Sequence, residues 1–131
     1  MEATTKANPG IASVELDLQD PQSIAAVAKK LIAKYPKLNV LINNAGIMQI
    51  DDAAGVIDDA LLLSTVNTNL LGTIRVTSAF IEHLKKQPSA TIIYNTSVLG
   101  YVPLAITAVY SSTKAALHIG ALRCADFVRR V

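Results

Sequence analysis

The sequence predicts an α/β fold in which about three parallel strands form a sheet and three helices pack on it. Short apolar runs alternate along the chain with longer segments whose apolar residues recur at helical spacing. The resulting order is strand, helix, strand, helix, strand, helix, which is typical of a parallel sheet covered by helices. With 131 residues, the chain suits a single domain, 1–131.

The first strand and the first helix are predicted to precede Pro36. The run 11–16 carries apolar residues on one side and indicates a strand. Asp20 then supplies an N-cap and Pro21 a proline in the first helical turn. Pro36 disfavours helical backbone in the residue before it, so we expect this helix to end near Tyr35.

A buried strand over 38–42 and a long helix over 58–86 are expected next. The turn 43–46, with the sequence Asn-Asn-Ala-Gly, follows the strand directly. Gly72 falls in the middle of the helix, where glycine costs about 1 kcal/mol relative to alanine. Its presence there predicts that another part of the chain approaches closely.

The third strand, 91–94, ends near Ser97, and a last helix is predicted over 108–131. In parallel sheets, ligands bind beyond the carboxyl ends of the strands. Asp17, the turn 43–46 and Ser97 all follow predicted strands. We therefore expect them to converge on one edge of the sheet.

The composition narrows the function classes. A net charge of +2 is too small to favour nucleic acid or an anionic membrane as a partner. The single cysteine, Cys124, rules out a disulfide within the chain, and this together with a polar start predicts a cytoplasmic protein. Hydrophobic residues make up 51%, which suggests buried helix faces, an oligomer interface or a missing partner segment.

Tyr110 and Lys114 are four residues apart and therefore share one face of the last helix. A phenol is a poor base at neutral pH, but a neighbouring ammonium favours the phenolate. Lowering a pKa by about three units requires roughly 4 kcal/mol, which one cation near 4 Å supplies at an effective dielectric of about 20. Ser97 would hold the substrate oxygen while Tyr110 exchanges the proton. Hydride itself must come from a cofactor.

These motifs, in this order, resemble the short-chain dehydrogenase/reductase family over roughly residues 11 to 118. The resemblance implies a partial doubly wound Rossmann-like parallel sheet and hydride transfer between NAD(P)(H) and a carbonyl or alcohol. It implies catalytic roles for a tetrad of side chains, in which Asn69 supports a proton-relay water: Asn69, Ser97, Tyr110 and Lys114. It also implies a set of cofactor-binding residues, with Asp17 at the adenine: Asp17, Asn43, Ala45, Gly46, Tyr110 and Lys114.

The chain also departs from the pattern of that family. None of its six glycines forms the Thr-Gly-x-x-x-Gly-x-Gly loop that holds the pyrophosphate, so cofactor binding is in question and the choice between NAD and NADP is open. The first two strands and the later strands of the family are not found, which predicts truncation at both ends. The run 11–16 would then pair with 38–42, pair with another chain, or remain an exposed edge. Tyr94, Asn95 and Thr96 stand where the family writes Asn, an aliphatic residue and Ser.

Simpler interpretations exist for several of these residues. Ser97 would serve as a turn cap, Asp17 as a strand-end residue and Asn69 as a polar residue that bends its helix. The aspartates at 51, 52, 58 and 59 suggest a metal, but loop solvation and helix N-terminal charge explain them better.

Two functions stay open at this point. The first is an oxidoreductase that acts on a small carbonyl or alcohol. The second is an inactive fragment that acts, if at all, as a dimerisation module. It would bind a second copy or a full-length relative through helices 58–86 and 108–131.

Overall fold

The computed structural model describes residues 10–128, with side-chain surroundings for residues 10–120. Within this range, four α-helices, one π-helical segment and two strands make up the fold. In chain order they are α1 (Pro21–Lys34), β1 (Val40–Asn43), α2 (Asp59–Val66), a π-helical segment (Asn67–Gly72), α3 (Thr73–Leu84), β2 (Thr91–Tyr94) and α4 (Ala108–Val128). Two short 3₁₀ turns, Val98–Gly100 and Ala105–Thr107, lie between β2 and α4. No described helix is long and apolar enough to cross a membrane.

The sheet is a parallel pair, β1 beside β2, with Val40 opposite Thr91 and Asn43 opposite Tyr94. This arrangement confirms the α/β class and the parallel connection through a helical crossover. One face of the sheet packs on a core between α1 and α3. The members of that core are Ile24, Ala28, Val76, Phe80 and Leu84, with Leu41 and Ile92 of the strands packed against them. The side chains that alternate with these strand residues are exposed in the described part of the chain.

The expected strand over 11–16 does not form. The described sheet has only two strands, and residues 11–16 carry no ladder hydrogen bonds. A strand exists only through hydrogen bonds to a neighbour, and its side-chain pattern alone does not supply one. Ile11 is 54% exposed, whereas Leu18 packs against the core. Three arrangements were open for residues 11–16, and the first of them, direct pairing with β1, does not occur in the described chain.

The helix boundaries follow the local signals in the sequence. Asp20 caps α1 by accepting a hydrogen bond from the Gln22 N–H at 2.8 Å, with Pro21 in the first turn. Lys34 is the last residue of α1, one residue before the expected end and two before Pro36. The predicted helix 108–131 begins at Ala108, as expected, and its last three residues lie outside the described range.

The long helix predicted over 58–86 is continuous but contains a π-helical segment, Asn67–Gly72. A π segment inserts an extra residue into a helical turn and is frequent at functional sites. Gly72 closes this segment against Leu18, three residues before the start of α1. A Cβ on Gly72 would stand 2.7 Å from the Leu18 carbonyl oxygen and 2.9 Å from the Leu18 Cβ. The close approach expected from the position of this glycine is therefore confirmed.

Gly72→Ala should destabilise the chain even though alanine is the better helix former. The added Cβ would meet a backbone oxygen rather than the end of a flexible side chain, and overpacking of this kind costs about 1–3 kcal/mol. Gly120→Ala is the matched control, because nothing lies within 4 Å of a Cβ at that helical position. It should stabilise the chain by roughly 0.5–1 kcal/mol. Urea unfolding of both variants measures the sign of each change in the free energy of unfolding. A Gly72→Ala variant more stable than the wild type would contradict the close approach.

Candidate functional site

Lys114 is a buried cation at the carboxyl end of the sheet. Its side chain is 4% exposed, and its Nζ donates to the Asn95 carbonyl oxygen at 2.8 Å, just beyond β2. Burial lowers the pKa of Lys114 below its ordinary value. No carboxylate offsets this charge, since no salt bridge reaches Lys114 in the described part of the chain. A desolvated ammonium without a carboxylate partner marks a candidate functional position.

Tyr110 lies one helical turn before Lys114 on α4, as the spacing predicts. The Lys114 Nζ stands 5.7 Å from the centre of the Tyr110 ring. Gly46 lies beside the same ammonium, because a Cβ at that position would be 3.6 Å from the Lys114 Nζ and 3.1 Å from Asn69 Oδ1. The structure thus brings four of the candidate residues together: Gly46, Asn69, Tyr110 and Lys114.

Asn69 ties three elements to one another and is 0% exposed. Its Oδ1 accepts the Ile47 N–H at 2.8 Å, and its Nδ2 donates to the Ile47 carbonyl oxygen at 2.8 Å. The same Nδ2 is 3.3 Å from the Thr113 hydroxyl, which in turn donates to the Tyr110 carbonyl oxygen at 2.7 Å. The amide therefore positions the loop after β1 and the first turns of α4. The interpretation of Asn69 as only a helix-bending residue does not account for these contacts.

Asn43 points into the fold rather than toward the open edge. Its Nδ2 donates to the Thr77 hydroxyl at 3.1 Å, and the Tyr94 hydroxyl donates to the same oxygen at 3.1 Å. Asn43 and Tyr94 are register partners in the sheet, so Thr77 joins both strand ends to α3. Tyr94 therefore has a packing role at a position where the resemblance leads one to expect Asn. Beyond the strands, Asn95 Nδ2 donates to Asn44 Oδ1 at 2.6 Å.

Asp17 is exposed and organises the turn before α1. Its Oδ1 accepts the Gln19 N–H at 2.8 Å, and its own N–H donates to the Ser23 hydroxyl at 3.1 Å. The residues on either side of Asp17 line a groove of about 90 Å³ at the end of β1. The groove residues are Leu16, Leu18, Ile42, Asn43, Asn44, Ala45, Thr73 and Val76. Asp17 thus lies between two residues, Leu16 and Leu18, that line the same groove as Asn43 and Ala45.

Ser97 caps the 3₁₀ turn Val98–Gly100, because its hydroxyl oxygen accepts the Leu99 N–H at 3.2 Å. This contact uses a lone pair and not the hydroxyl hydrogen. The turn itself packs closely on α4. A Cβ on Gly100 would stand 3.0 Å from the Lys114 carbonyl carbon and 3.0 Å from the Ala115 nitrogen. The turn-cap interpretation is therefore correct as far as it goes, and the cap is held against the helix that carries Tyr110.

The chain matches the family model of the short chain dehydrogenases over residues 1–126. It belongs to the short-chain dehydrogenase family. This confirms the resemblance inferred from the order of the motifs.

Individual relatives agree with the family assignment. The chain is 38% identical over 111 residues to the uncharacterized oxidoreductase DltE of Bacillus subtilis, covering 84% of this chain and 44% of that protein. It is 30% identical over 111 residues to human 17-beta-hydroxysteroid dehydrogenase type 1, covering 84% of this chain and 33% of that protein.

Solved structures confirm the fold. A short-chain dehydrogenase from Streptomyces avermitilis superposes with a TM-score of 0.88 at 29% identity, covering 98% of this chain and 47% of that one. ElxO, solved with NADP bound, gives a TM-score of 0.81 at 26% identity and covers 88% of this chain and 48% of that one. The chain therefore spans less than half the length of the relatives named here.

Within this short-chain dehydrogenase chain, the helix-charge interpretation of the aspartates is confirmed. Asp58 caps α2 by accepting the Ala60 N–H at 3.0 Å, and Asp59 lies in the first turn. Asp51 caps a helix far along the chain, since its two carboxylate oxygens accept the N–H groups of Ala108 and Val109. Among the described residues, no group of three or more His, Cys, Asp or Glu side chains is placed to hold a metal ion.

Three contacts of the site carry no strong signal in the sequence. The Asn95 acceptor for Lys114 is a backbone carbonyl, which any residue supplies. Thr113 lies inside the Tyr110–Lys114 motif, but its partner Asn69 is 44 residues away in sequence. Asp51 is only one of two adjacent acidic residues in the loop after β1, and the helix that it caps begins 57 residues away.

Lys114→Met tests the burial of this cation through the pH dependence of stability. Because its folded pKa is lowered from 10.5, the unfolded chain binds this proton more tightly than the folded chain does. The contribution of Lys114 to stability is therefore least favourable below its folded pKa and rises as the pH approaches 10.5.

Urea unfolding at a series of pH values should show the wild-type chain gaining stability relative to Lys114→Met as the pH rises from neutral toward 10.5. Lys29→Met, which removes an exposed lysine of α1, controls for the loss of one positive charge. A wild-type stability that falls relative to Lys114→Met over this range would contradict the burial of the ammonium.

Proposed function

We propose that this chain holds the proton-transfer centre of an NAD(P)-dependent oxidoreductase that interconverts a carbonyl and an alcohol. The observation that carries the proposal is the Lys114 ammonium, buried without a carboxylate and placed beside the Tyr110 ring. Desolvated charges are concentrated at functional sites, where the charge acts on a neighbouring group. The neighbouring group here is a phenol, which gives or takes a proton at a substrate oxygen.

The proton step uses the side chains on α4 and the turn before it. Tyr110 would donate its proton to the oxygen of a carbonyl substrate as that oxygen becomes an alcohol, and would accept it in the reverse direction. The Lys114 charge stabilises the phenolate that remains. The Ser97 hydroxyl hydrogen is not used in capping Leu99, so it is available to bind the same substrate oxygen. Asn69 keeps the loop after β1 and the start of α4 in register, which supports a relay of the proton to solvent.

The residues at the carboxyl end of β1 fit the ribose side of a nicotinamide cofactor. Gly46 has no side chain to fill the space next to Asn69 and Lys114, and its backbone is exposed. Asn43, Ala45 and Asp17 border the groove at the end of β1, or adjoin its wall. The Lys114 ammonium has three donors and gives one to Asn95 in the described chain, which leaves donors for ribose hydroxyls.

A bound nicotinamide supplies the hydride that no side chain carries. We propose NAD(P) without assigning the phosphate preference, because no described residue reads a ribose phosphate. The substrate class follows from the chemistry of Tyr110: a small molecule with a carbonyl or hydroxyl group. The chain's proposed place of action is the cytoplasm.

Tyr110→Phe is the direct test of the proposed chemistry. The variant keeps the ring and its packing but removes the transferable proton, so kcat for ketone reduction should fall by roughly 10²–10⁴-fold. Binding of NADH and NADPH, measured separately by titration calorimetry, should weaken far less than kcat falls, because only the hydroxyl contact of Tyr110 is lost. Turnover is followed by the loss of nicotinamide absorbance with a panel of aliphatic and aromatic ketones.

Tyr101→Phe is the matched control, since Tyr101 lies on the same part of the fold but its hydroxyl is hydrogen-bonded with His118 Nδ1 at 2.7 Å. A folded wild-type chain that binds neither nucleotide at submillimolar concentration would contradict the proposal. A Tyr110→Phe variant that turns over as fast as the wild type would remove Tyr110 from the mechanism.

A second function is favoured by an apolar groove between α3 and α4. The groove has a volume of about 290 Å³ and is lined almost entirely by apolar atoms. Its walls are Leu70, Ile74, Thr77, Ser78, Ile81, Tyr94, Ala116, Leu117 and Gly120. Such a surface suits a self-association interface, and its occupant would be a second copy of this chain or a longer relative. In this alternative the chain acts as an interaction module whether or not it turns over.

Ile74→Glu tests the second function. Ile74 is 53% exposed and lines the groove, so a charge there should abolish self-association while leaving the fold intact. Ser112→Glu adds the same charge to an exposed position of α4 that does not line the groove, and it is the control. Sedimentation velocity of the three chains gives the oligomeric state. A monomeric wild-type chain would argue against an interface between copies at this groove.

A further inference from the structure

Asp51 is a buried carboxylate outside every motif that defines the candidate site. Its residue is 6% exposed. Its Oδ1 accepts the Ala108 N–H at 2.8 Å, and its Oδ2 accepts the Val109 N–H at 2.9 Å. Both oxygens are thus committed to the first turn of α4, and Tyr110 is the next residue after these two donors.

The helix itself supplies the charge that balances Asp51. No salt bridge reaches Asp51 in the described part of the chain. The N-terminus of a helix carries about half a positive charge on its unsatisfied N–H groups, and a carboxylate there is stabilised. Two hydrogen bonds from one carboxylate to successive N–H groups also fix the direction of the helix start, which a single cap does not.

Backbone contacts extend the same attachment. The Asp51 N–H donates to the Ile106 carbonyl oxygen at 3.0 Å, and the Ala53 N–H donates to the Ala105 carbonyl oxygen at 3.1 Å. These bonds join the loop after β1 to the 3₁₀ turn that leads into α4. At the other end of this short loop, Ile47 is held by both atoms of the Asn69 amide.

Tyr110 is therefore held from both sides along the chain. Before it, Asp51 fixes Ala108 and Val109. After it, the Thr113 hydroxyl contacts Asn69 and donates to the Tyr110 carbonyl oxygen. Both attachments lead back to the loop 47–51, so this loop and the first turn of α4 form one connected unit.

We infer that Asp51 is a positioning residue for Tyr110, acting through the first turn of α4. The inference rests on the proposed function in one respect, namely that Tyr110 transfers a proton. Proton transfer requires donor and acceptor within hydrogen-bond reach. A misplacement of about 1 Å from a substitution remote from the chemistry costs about 10²-fold in rate.

Asp51→Asn is the informative variant because it keeps the size of the side chain. The amide oxygen still accepts one N–H, but the amide nitrogen faces the other N–H and repels it, which tilts the helix start. We expect kcat for ketone reduction to fall between about tenfold and a hundredfold, with KM within about twofold of the wild-type value. Asp51→Ala, which loses both acceptors, should lower kcat further.

Asp20→Ala is the matched control for the loss of a helix cap, because an asparagine at position 20 would still accept the Gln22 N–H. Asp20 caps α1 through the Gln22 N–H, and α1 carries neither Tyr110 nor Lys114. Both variants should lower the thermal midpoint, because each weakens an N-cap. Only Asp51→Asn should lower kcat when both are assayed well below their midpoints.

A readout without turnover separates this inference from the proposed function. In chains carrying isotope-labelled tyrosine, Tyr110→Phe identifies the ring resonances of Tyr110 by their loss. Asp51→Asn should shift those resonances in the folded state, whereas Asp20→Ala should leave them in place.

A wild-type chain without ketone reductase activity would defeat the proposed function, and the shift of the Tyr110 resonances would still establish the positioning role. A lowered midpoint with unchanged Tyr110 resonances would show that Asp51 is a helix cap only and overturn the inference.

Discussion

The side-chain amide of Asn69 is the interaction on which the candidate site depends. It is fully buried, and it replaces the hydrogen bonds that the backbone of Ile47 lacks outside a sheet or helix. Removing it would leave one donor and one acceptor of the partly buried Ile47 backbone unsatisfied at once, and a group of this kind costs up to about 1–3 kcal/mol. The same amide reaches Thr113 on α4. A single side chain thus holds the loop after β1, the long helix and the helix of Tyr110 at fixed distances.

The π-helical segment explains how Asn69 reaches this position. In a regular α-helix each residue advances by about 100°, so the faces of α2 and α3 would be locked to one another. The extra residue between Asn67 and Gly72 breaks that phase relation. It places Gly72 against Leu18 while Asn69 faces Ile47. The π-helical segment therefore serves two purposes in one helix: Gly72 packs against Leu18 before α1, and Asn69 organises the site.

Local chemistry in the sequence predicted much of this fold, and contacts distant in sequence account for the rest. Asp20, Pro21 and Pro36 fixed the limits of α1 within a residue or two, because capping and proline geometry act over only a few residues. Tyr110 and Lys114 were placed together by helical spacing alone. The run 11–16 failed as a strand because strand formation depends on a neighbour that the pattern does not reveal.

The candidate site shows the same division. Gly46 follows β1, and the Lys114 ammonium beside it donates to Asn95 just after β2, so this edge of the sheet was predictable. The Asn95 carbonyl and the carboxylate of Asp51 were not, since one has no side-chain signature and the other caps a helix far along the chain. The position of Tyr94 beside Thr77 also escaped prediction, because a tyrosine hydroxyl finds its acceptor only once the helix behind the strand is in place.

The uncovered face of the two-stranded sheet has a practical consequence for handling the protein. Val40 and Ile42 of β1 and Ile93 of β2 are 47%, 59% and 44% exposed, and each strand has an unpaired edge in the described chain. An apolar strand with an open edge is a template for further strands, including those of other molecules. We therefore expect this surface to promote precipitation on concentration or mild heating. Dilute, cold and freshly prepared samples are the conditions under which its native behaviour is best observed.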